Sequence, residues 1–190
     1  MEFLCLTWDD VDRLLDELAQ KIQENGFHPE VLVAIGRGGF VPARILCDLL
    51  GVRELASIGI RYYEDIGRRE KQPRILHPVN ADVTGREVLV VDDVSDSGQS
   101  LQMALSEMLE QGAREVRIAT VHYKPRSLLK PDFFAEKTES WIIYPWEILE
   151  SARSLIAEMR RQGLGKKEME DRLSSLGFKE KRVSFLLEDV

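Results

Sequence analysis

Cysteine is scarce in this chain of 190 residues: there are two, Cys5 and Cys47, far apart and at no zinc or redox spacing. That excludes a disulfide framework and a cysteine-ligated metal, and it suits a reducing, cytoplasmic setting. Both thiols are expected as small buried hydrophobes. No apolar run nears the roughly 20 residues that cross a bilayer, so no membrane span is expected. No basic segment leads into an apolar core at the N-terminus, so no signal peptide is expected. A surplus of positive charge is missing too. The net charge of −7 argues against a general nucleic-acid binder, while a local basic pocket stays open. His28, His77 and His122 show no ligand spacing and receive no role. There is no internal repeat and no low-complexity tract.

What is present is ordinary in bulk, 44% hydrophobic and 31% charged. The length suits one domain with a small appendage. Such a chain buries roughly 70% of its unfolded surface, enough to fold without a staple. Thr7 and Asp10 form a capping-box variant ahead of Val11, Leu14, Leu15, Leu18 and Ile22, which recur at helical spacing up to Asn25-Gly26. "VLVAIG" from Val31 is a strand covered on both faces. Pro42 to Leu50 reads as a helix stopped by Gly51, and "LASIGIRYY" as a weaker strand. Glu64 to Asp82 is polar, holds two prolines and lacks a period, as expected of a long loop or flap. "VLVVDD" is again a buried strand, and Leu101, Ala104, Leu105, Met108 and Leu109 make a helical stripe ended by Gly112. "VRIATVHY", "DFFAEKT" and "WIIYPW" read as further strands. Alternating strands and helices specify an α/β fold with a mainly parallel sheet. The pattern changes beyond Glu147, so the division expected is a domain of residues 1–149 and a helical extension of residues 150–190.

Two segments, "VLVAIGRGG" and "VLVVDDVSDSGQS", share one plan: apolar strand, small-residue turn, helix. Glycine allows the backbone to approach a ligand closely, and free N–H groups at the helix start face an anion. Ser97, Gly98, Gln99 and Ser100 can hold one phosphate, and Arg37, Gly38 and Gly39 a second anionic group. Asp92 and Asp93 lie between them and cannot be there for phosphate. They suit neutral hydroxyls, a divalent cation, or both. A sugar diol phosphorylated at both ends satisfies every part. Helix capping accounts for one of the carboxylates of Asp92, Asp93 and Asp96, but poorly for all.

"VLVVDDVSDSGQS" resembles the 5-phosphoribosyl-1-pyrophosphate (PRPP) motif of type I phosphoribosyltransferases. The likeness runs from about Thr7 to Trp146 through "TWDDV", "AIGRGGFVPARIL", "RYY", the acidic motif, "HYKP" and "WIIYPWE". It is nearest to the 6-oxopurine salvage enzymes of the xanthine-guanine and archaeal hypoxanthine-guanine type. The resemblance implies the type I phosphoribosyltransferase fold with a flexible flap. It implies Mg2+ as cofactor, PRPP and a purine base as partners, and a homodimer or tetramer. It assigns Asp92 and Asp93 to the ribose hydroxyls and magnesium, with Asp93 the metal contact. Asp96 to Ser100 cradle the 5′-phosphate. Arg37, Gly38 and Gly39, with Arg69 in the flap, take pyrophosphate. Asp96 is the catalytic acid/base at N7 of a 6-oxopurine, Lys124 donates to O6, Trp141 stacks on the base, and Ile142 offers backbone groups to its edge.

The chain departs from the family pattern in places. Serines stand where the phosphate loop usually carries threonines, which keeps the hydroxyls. Tyr62-Tyr63 replaces the usual Ser-Tyr pair, which bears on flap closure. The extension, with "KKEMEDRLSSLGF", has nearly balanced charge and reads as helices packed on the core or on a second subunit. A regulator that senses the activated sugar and binds nucleic acid or protein is the competing function. It would need no purine pocket, so Asp96, Lys124 and Trp141 discriminate against it.

Overall fold

In a computed structural model that describes residues 2–63, 72–178 and 186, the elements follow one another as β1 (Phe3–Cys5), α1 (Trp8–Glu24), β2 (Val31–Gly36), α2 (Phe40–Leu50), β3 (Leu55–Tyr63), β4 (Gln72–His77), β5 (Glu87–Ser95), α3 (Gln99–Glu110), β6 (Glu115–Tyr123), β7 (Phe133–Lys137), β8 (Trp141–Ile143), α4 (Ile148–Arg161) and α5 (Lys166–Ser175). They divide into two units: Asp12–Glu139, and Met1–Val11 with Ser140–Val190.

In the unit Asp12–Glu139, the described residues form a six-stranded sheet in the order β4-β3-β2-β5-β6-β7. All its pairings are parallel except β3 with β4. The continuous apolar runs of β2 and β5 are buried on both faces, as expected of central parallel strands. Val31, Val33, Ile35, Val88 and Val90 pack with Leu101, Ala104 and Met108 of α3. By strand alternation, Leu32, Ala34, Leu89 and Val91 face the opposite side, and each is wholly buried. The α2 helix lies against β2 and β5 and closes at Gly51, whose φ of 69° is the left-handed conformation that glycine supplies at a helix end. The chain winds from β2 to β3 in one direction and from β5 to β6 in the other. The sheet therefore reverses its winding between β2 and β5, and the loops after those strands emerge side by side at the carboxyl edge.

The expected irregular stretch Glu64–Asp82 is corrected in part. Gln72–His77 forms β4, antiparallel to β3 with Tyr62 opposite Pro73. It is an edge strand, a place in a sheet that tolerates a proline. Its Arg74, Leu76 and His77 are exposed, which hid it from a reading based on apolar alternation. Arg69 lies outside the described residues.

In the other unit, β1 and β8 pair in parallel as a two-stranded sheet, with Leu4 opposite Ile142. The predicted last strand is thus present, and its partner, β1, went unread because three residues carry too little pattern. Thr7 and Asp10 close the reciprocal capping box: the Thr7 N–H donates to Asp10 Oδ2 (2.9 Å), and the Asp10 N–H donates to Thr7 Oγ1 (3.2 Å). Ile143 packs with Ala152, Ile156 and Met159 of α4 and with Met169 and Leu173 of α5. The indole of Trp146 stacks on Tyr144 at 4.6 Å and lies 5.9 Å from Trp8. Cys47 is buried as expected; Cys5, at the end of β1, is exposed, which corrects the expectation for it.

The turn after β2 is packed too tightly for any side chain at Gly39, where an added Cβ would sit 2.3 Å from the Val91 carbonyl oxygen and 2.8 Å from that of Ile35. Both obstacles are backbone and cannot rotate away. Gly39→Ala is expected to lower stability by about 1–3 kcal/mol, measured by urea unfolding. An unchanged midpoint would contradict this packing.

Candidate active site

Three strand ends build the site: the loop Arg37–Gly39 after β2, the residues Asp92–Ser100 at the end of β5 and the start of α3, and the residues Lys124–Ser127 after β6. Because β2, β5 and β6 are adjacent and parallel, these segments meet at one edge of the sheet. A crevice at the carboxyl ends of strands, where the winding reverses, is where open α/β sheets bind ligands.

The first loop leans on the acidic pair. An added Cβ at Gly38 would lie 2.3 Å from Asp93 Oδ2, so only glycine lets this backbone pass beside the buried Asp93. The Gly36–Arg37 peptide bond is cis. Arg37 itself is exposed at the lip.

Asp92 and Asp93 are consecutive. Asp92 keeps some exposed surface as a residue, but its carboxyl is desolvated. That desolvation, together with the neighbouring Asp93 charge, pushes the Asp92 carboxyl well above the ordinary carboxylate range. The Asp93 N–H donates to Asp92 Oδ1 at 3.0 Å and works in the other direction. Two crowded carboxylates held against their own repulsion are half of a cation site, the other half being ligand oxygens.

The second loop is held by its neighbour. The Leu128 N–H donates to the Ser97 carbonyl (3.0 Å), and the Lys124 N–H donates to the Ser95 carbonyl (3.0 Å). Ser95 Oγ donates to the Leu129 carbonyl at 2.8 Å. Gly98 adopts φ 79°, and an added Cβ there would meet Ser127 Oγ at 2.5 Å. The turn into α3 therefore needs glycine at Gly98, and the N–H groups of Gly98, Gln99 and Ser100 open the helix, that of Gln99 donating weakly to Ser97 Oγ at 3.4 Å. The hydroxyls of Ser97 and Ser100 lie on the same rim and meet the phenol of Tyr62, which reaches over from β3.

Asp96 is gripped by two cations. Lys124 Nζ donates to Oδ2 at 3.4 Å, and Arg126 donates to Oδ1 from Nε at 3.1 Å and from Nη2 at 2.6 Å. The two differ in mobility. The Lys124 side chain is 5% exposed and fixed, whereas that of Arg126 is 59% exposed. An exposed pair of this kind is worth about 0–1 kcal/mol, so a ligand can displace Arg126 at little cost. Lys124 is buried, so it is not an ordinary surface lysine. Arg126 and the contacts of Tyr62 were missed from the sequence. The position of Arg126 two residues after Lys124, in the polar turn behind a strand, was the signal available.

His122 lies beneath this edge, and burial lowers its imidazole to about 4, so it is neutral near pH 7. Trp141 and Ile142, also expected to contribute, belong to the other unit, where Trp141 is exposed and Ile142 is buried.

Comparison with known proteins shows the family. Residues 7–153 match the phosphoribosyl transferase domain. The chain is 31% identical to the xanthine-guanine phosphoribosyltransferase of Ruegeria sp. (strain TM1040), over 75% of this chain and 84% of that one. It is 28% identical to the hypoxanthine-guanine phosphoribosyltransferase of Schizosaccharomyces pombe, over 82% and 95% respectively. The crystal structure of the purine phosphoribosyltransferase of Pyrococcus horikoshii superposes with a TM-score of 0.69 at 37% identity, covering 77% of this chain and 94% of that one.

The strain at Asp92 has a sign. Below the unfolded carboxylate value of about 4, both folded and unfolded states hold the proton and nothing is lost. Above it, the unfolded chain ionises while the folded carboxyl resists, so the site costs stability as pH rises towards the raised folded value. Asp92→Asn is therefore expected to raise the urea midpoint at pH 7, and this gain should disappear near pH 4. Equal midpoints at both values would remove the electrostatic strain.

Proposed function

Since the chain belongs to the phosphoribosyl transferase family, we propose that it is a purine-salvage enzyme that moves the 5-phosphoribosyl group of PRPP onto a 6-oxopurine: guanine, hypoxanthine or xanthine. The products are the nucleoside 5′-monophosphate and pyrophosphate. The observation that carries this reading is the pairing of Asp96 with the buried Lys124 beside the small-residue loop. A site made only for an activated sugar needs neither, whereas a 6-oxopurine offers N7 and O6, to which an acid and a lysine at this spacing are complementary.

Roles follow from position. The N–H groups and hydroxyls of Asp96–Ser100 hold the 5′-phosphate. Arg37 and the backbone at Gly38 and Gly39 take the pyrophosphate. Asp92 and Asp93 meet the ribose hydroxyls. The purine nitrogen displaces pyrophosphate at the anomeric carbon, and positive charge develops on the ribose ring, as in glycoside chemistry. Asp96 exchanges the proton at N7, and Lys124 donates to O6. Arg126 must give up Oδ1 for a purine to reach it, and its exposure permits this.

Magnesium fits the donor set. Asp92 and Asp93 are adjacent, burial and then the neighbouring Asp93 charge already lift the Asp92 carboxyl, and a divalent cation would offset both. Asp93 and Asp92 would hold the ion together with ligand oxygens. When bound, it neutralises charge on the pyrophosphate leaving group. This reading places the enzyme in the cytoplasm as a homodimer or tetramer. Among the described residues, no helix is long and apolar enough to cross a membrane.

The test is direct. Purified protein, magnesium and PRPP are mixed with guanine, hypoxanthine, xanthine or adenine, and nucleotide formation is followed by absorbance. Turnover is expected with one or more 6-oxopurines and not with adenine. Tight sugar binding with no nucleotide from any base would favour the sensing regulator. Asp96→Asn should keep the fold and lose at least tenfold in kcat, about 1.4 kcal/mol or more; full activity would remove Asp96 from the chemistry. Lys124→Ala should erode the preference for guanine over adenine, and an unaltered ratio would contradict its contact with O6.

A further inference from the structure

Tyr62 stands where the resembling enzymes carry the serine of the flap pair, and its side chain spans a distance that a serine cannot. Its hydroxyl accepts a hydrogen bond from Ser100 Oγ at 3.0 Å and lies 3.2 Å from Ser97 Oγ. Ser97 Oγ in turn accepts the Gln99 N–H at 3.4 Å. Two hydroxyls assigned to the 5′-phosphate are thus joined by a third from a different strand. Resting on the phosphate-loop reading of Ser97 and Ser100, we infer that Tyr62 is a further binding residue for the 5′-phosphate, donating its phenolic O–H to the same anion as the two serines.

Three features lead to this. The first is the proton arrangement: each of the three hydroxyls carries one proton and rotates freely, so with no anion present they satisfy one another. A phosphate dianion is a stronger acceptor than any hydroxyl oxygen, so all three protons can turn towards it. The second is anchorage. Tyr62 sits in β3, paired to β4 at Pro73 and, within the same strand, to β2 at Gly59 opposite Gly36. The sheet holds its backbone in place, so the donor is positioned before any loop beyond it closes. The third is exposure. Tyr62 is 42% exposed, so a large apolar ring has been left at the surface, and packing does not explain it. A donor required at the rim does.

The inference deepens the substrate assignment, since it concerns how the enzyme discriminates a phosphorylated pentose from the free sugar. Tyr62→Phe keeps the ring and removes only the hydroxyl. The KM for PRPP should rise about tenfold while kcat changes less than twofold and the KM for the purine stays put, a split that a general loss of structure would not produce. Titration of ribose 5-phosphate should show a similar loss of affinity, and pyrophosphate binding should be unchanged. In the Ser100→Ala background the Tyr62→Phe effect should shrink, because the two hydroxyls share one anion. If wild-type protein binds ribose 5-phosphate and Tyr62→Phe binds it equally well, Tyr62 is no ligand and the salvage reading survives. If the variant binds it more tightly, the phenol competes with the phosphate and the inference is overturned. If the wild-type protein binds no phosphorylated pentose, both readings fall.

Discussion

The contact between the glycine backbone at Gly38 and the buried Asp93 carboxylate holds the site together. It exists because the sheet reverses its winding between β2 and β5, so two strand-to-helix turns leave the same edge in adjacent positions. One turn brings donors, the other brings donors and acids, and a Cβ at Gly38 or Gly39 would force them apart. The raised carboxyl of Asp92 comes from its burial and from Asp93, the acid that this close approach packs against. Burial here stores electrostatic cost at the place where a cation and an anion together can relieve it.

A similar economy governs Asp96. Its carboxylate is shared between a fixed cation and a displaceable one, so it is satisfied before a purine arrives and one oxygen is released at small cost afterwards. Lys124 gains from the pairing as well, because a buried ammonium beside a carboxylate costs less than one beside apolar groups. The phosphate loop follows the same logic with neutral groups: Ser97, Ser100 and Tyr62 satisfy one another until an anion takes all three. In each case the polar groups of the site are pre-paired through weak, exposed links and fixed through buried ones.

The chemistry of the acidic motif was legible because it is local. Three acids, a glycine and three serines within the short run Asp92 to Ser100 have few structural explanations, and the strands on either side announce themselves by their apolar continuity. What the sequence hid was long-range or edge-like. β4 carries a proline and exposed charges, so it lacks the alternation of a half-buried strand. β1 is too short to show a pattern, and its pairing with β8 joins segments far apart in the chain, Phe3 with Trp141. Arg126 looked like any arginine in a turn until β6 placed it above Asp96. Tyr62 could be seen as a departure from the family pattern, but its hydrogen bonds to Ser97 and Ser100 depend on β3 and β5 leaving the sheet on the same edge. The expected division at residue 149 follows a change of pattern along the chain, whereas the compact units divide at Glu139 according to which segments pack together.

The most direct measurement is a crystal structure with a purine nucleoside 5′-monophosphate bound. The account predicts the phosphate on the N–H groups of Gly98 to Ser100, the ribose hydroxyls against Asp92 and Asp93, and the base with N7 towards Asp96 and O6 towards Lys124, with Arg126 displaced. A phosphate bound anywhere else, or a base turned away from Asp96, would contradict it.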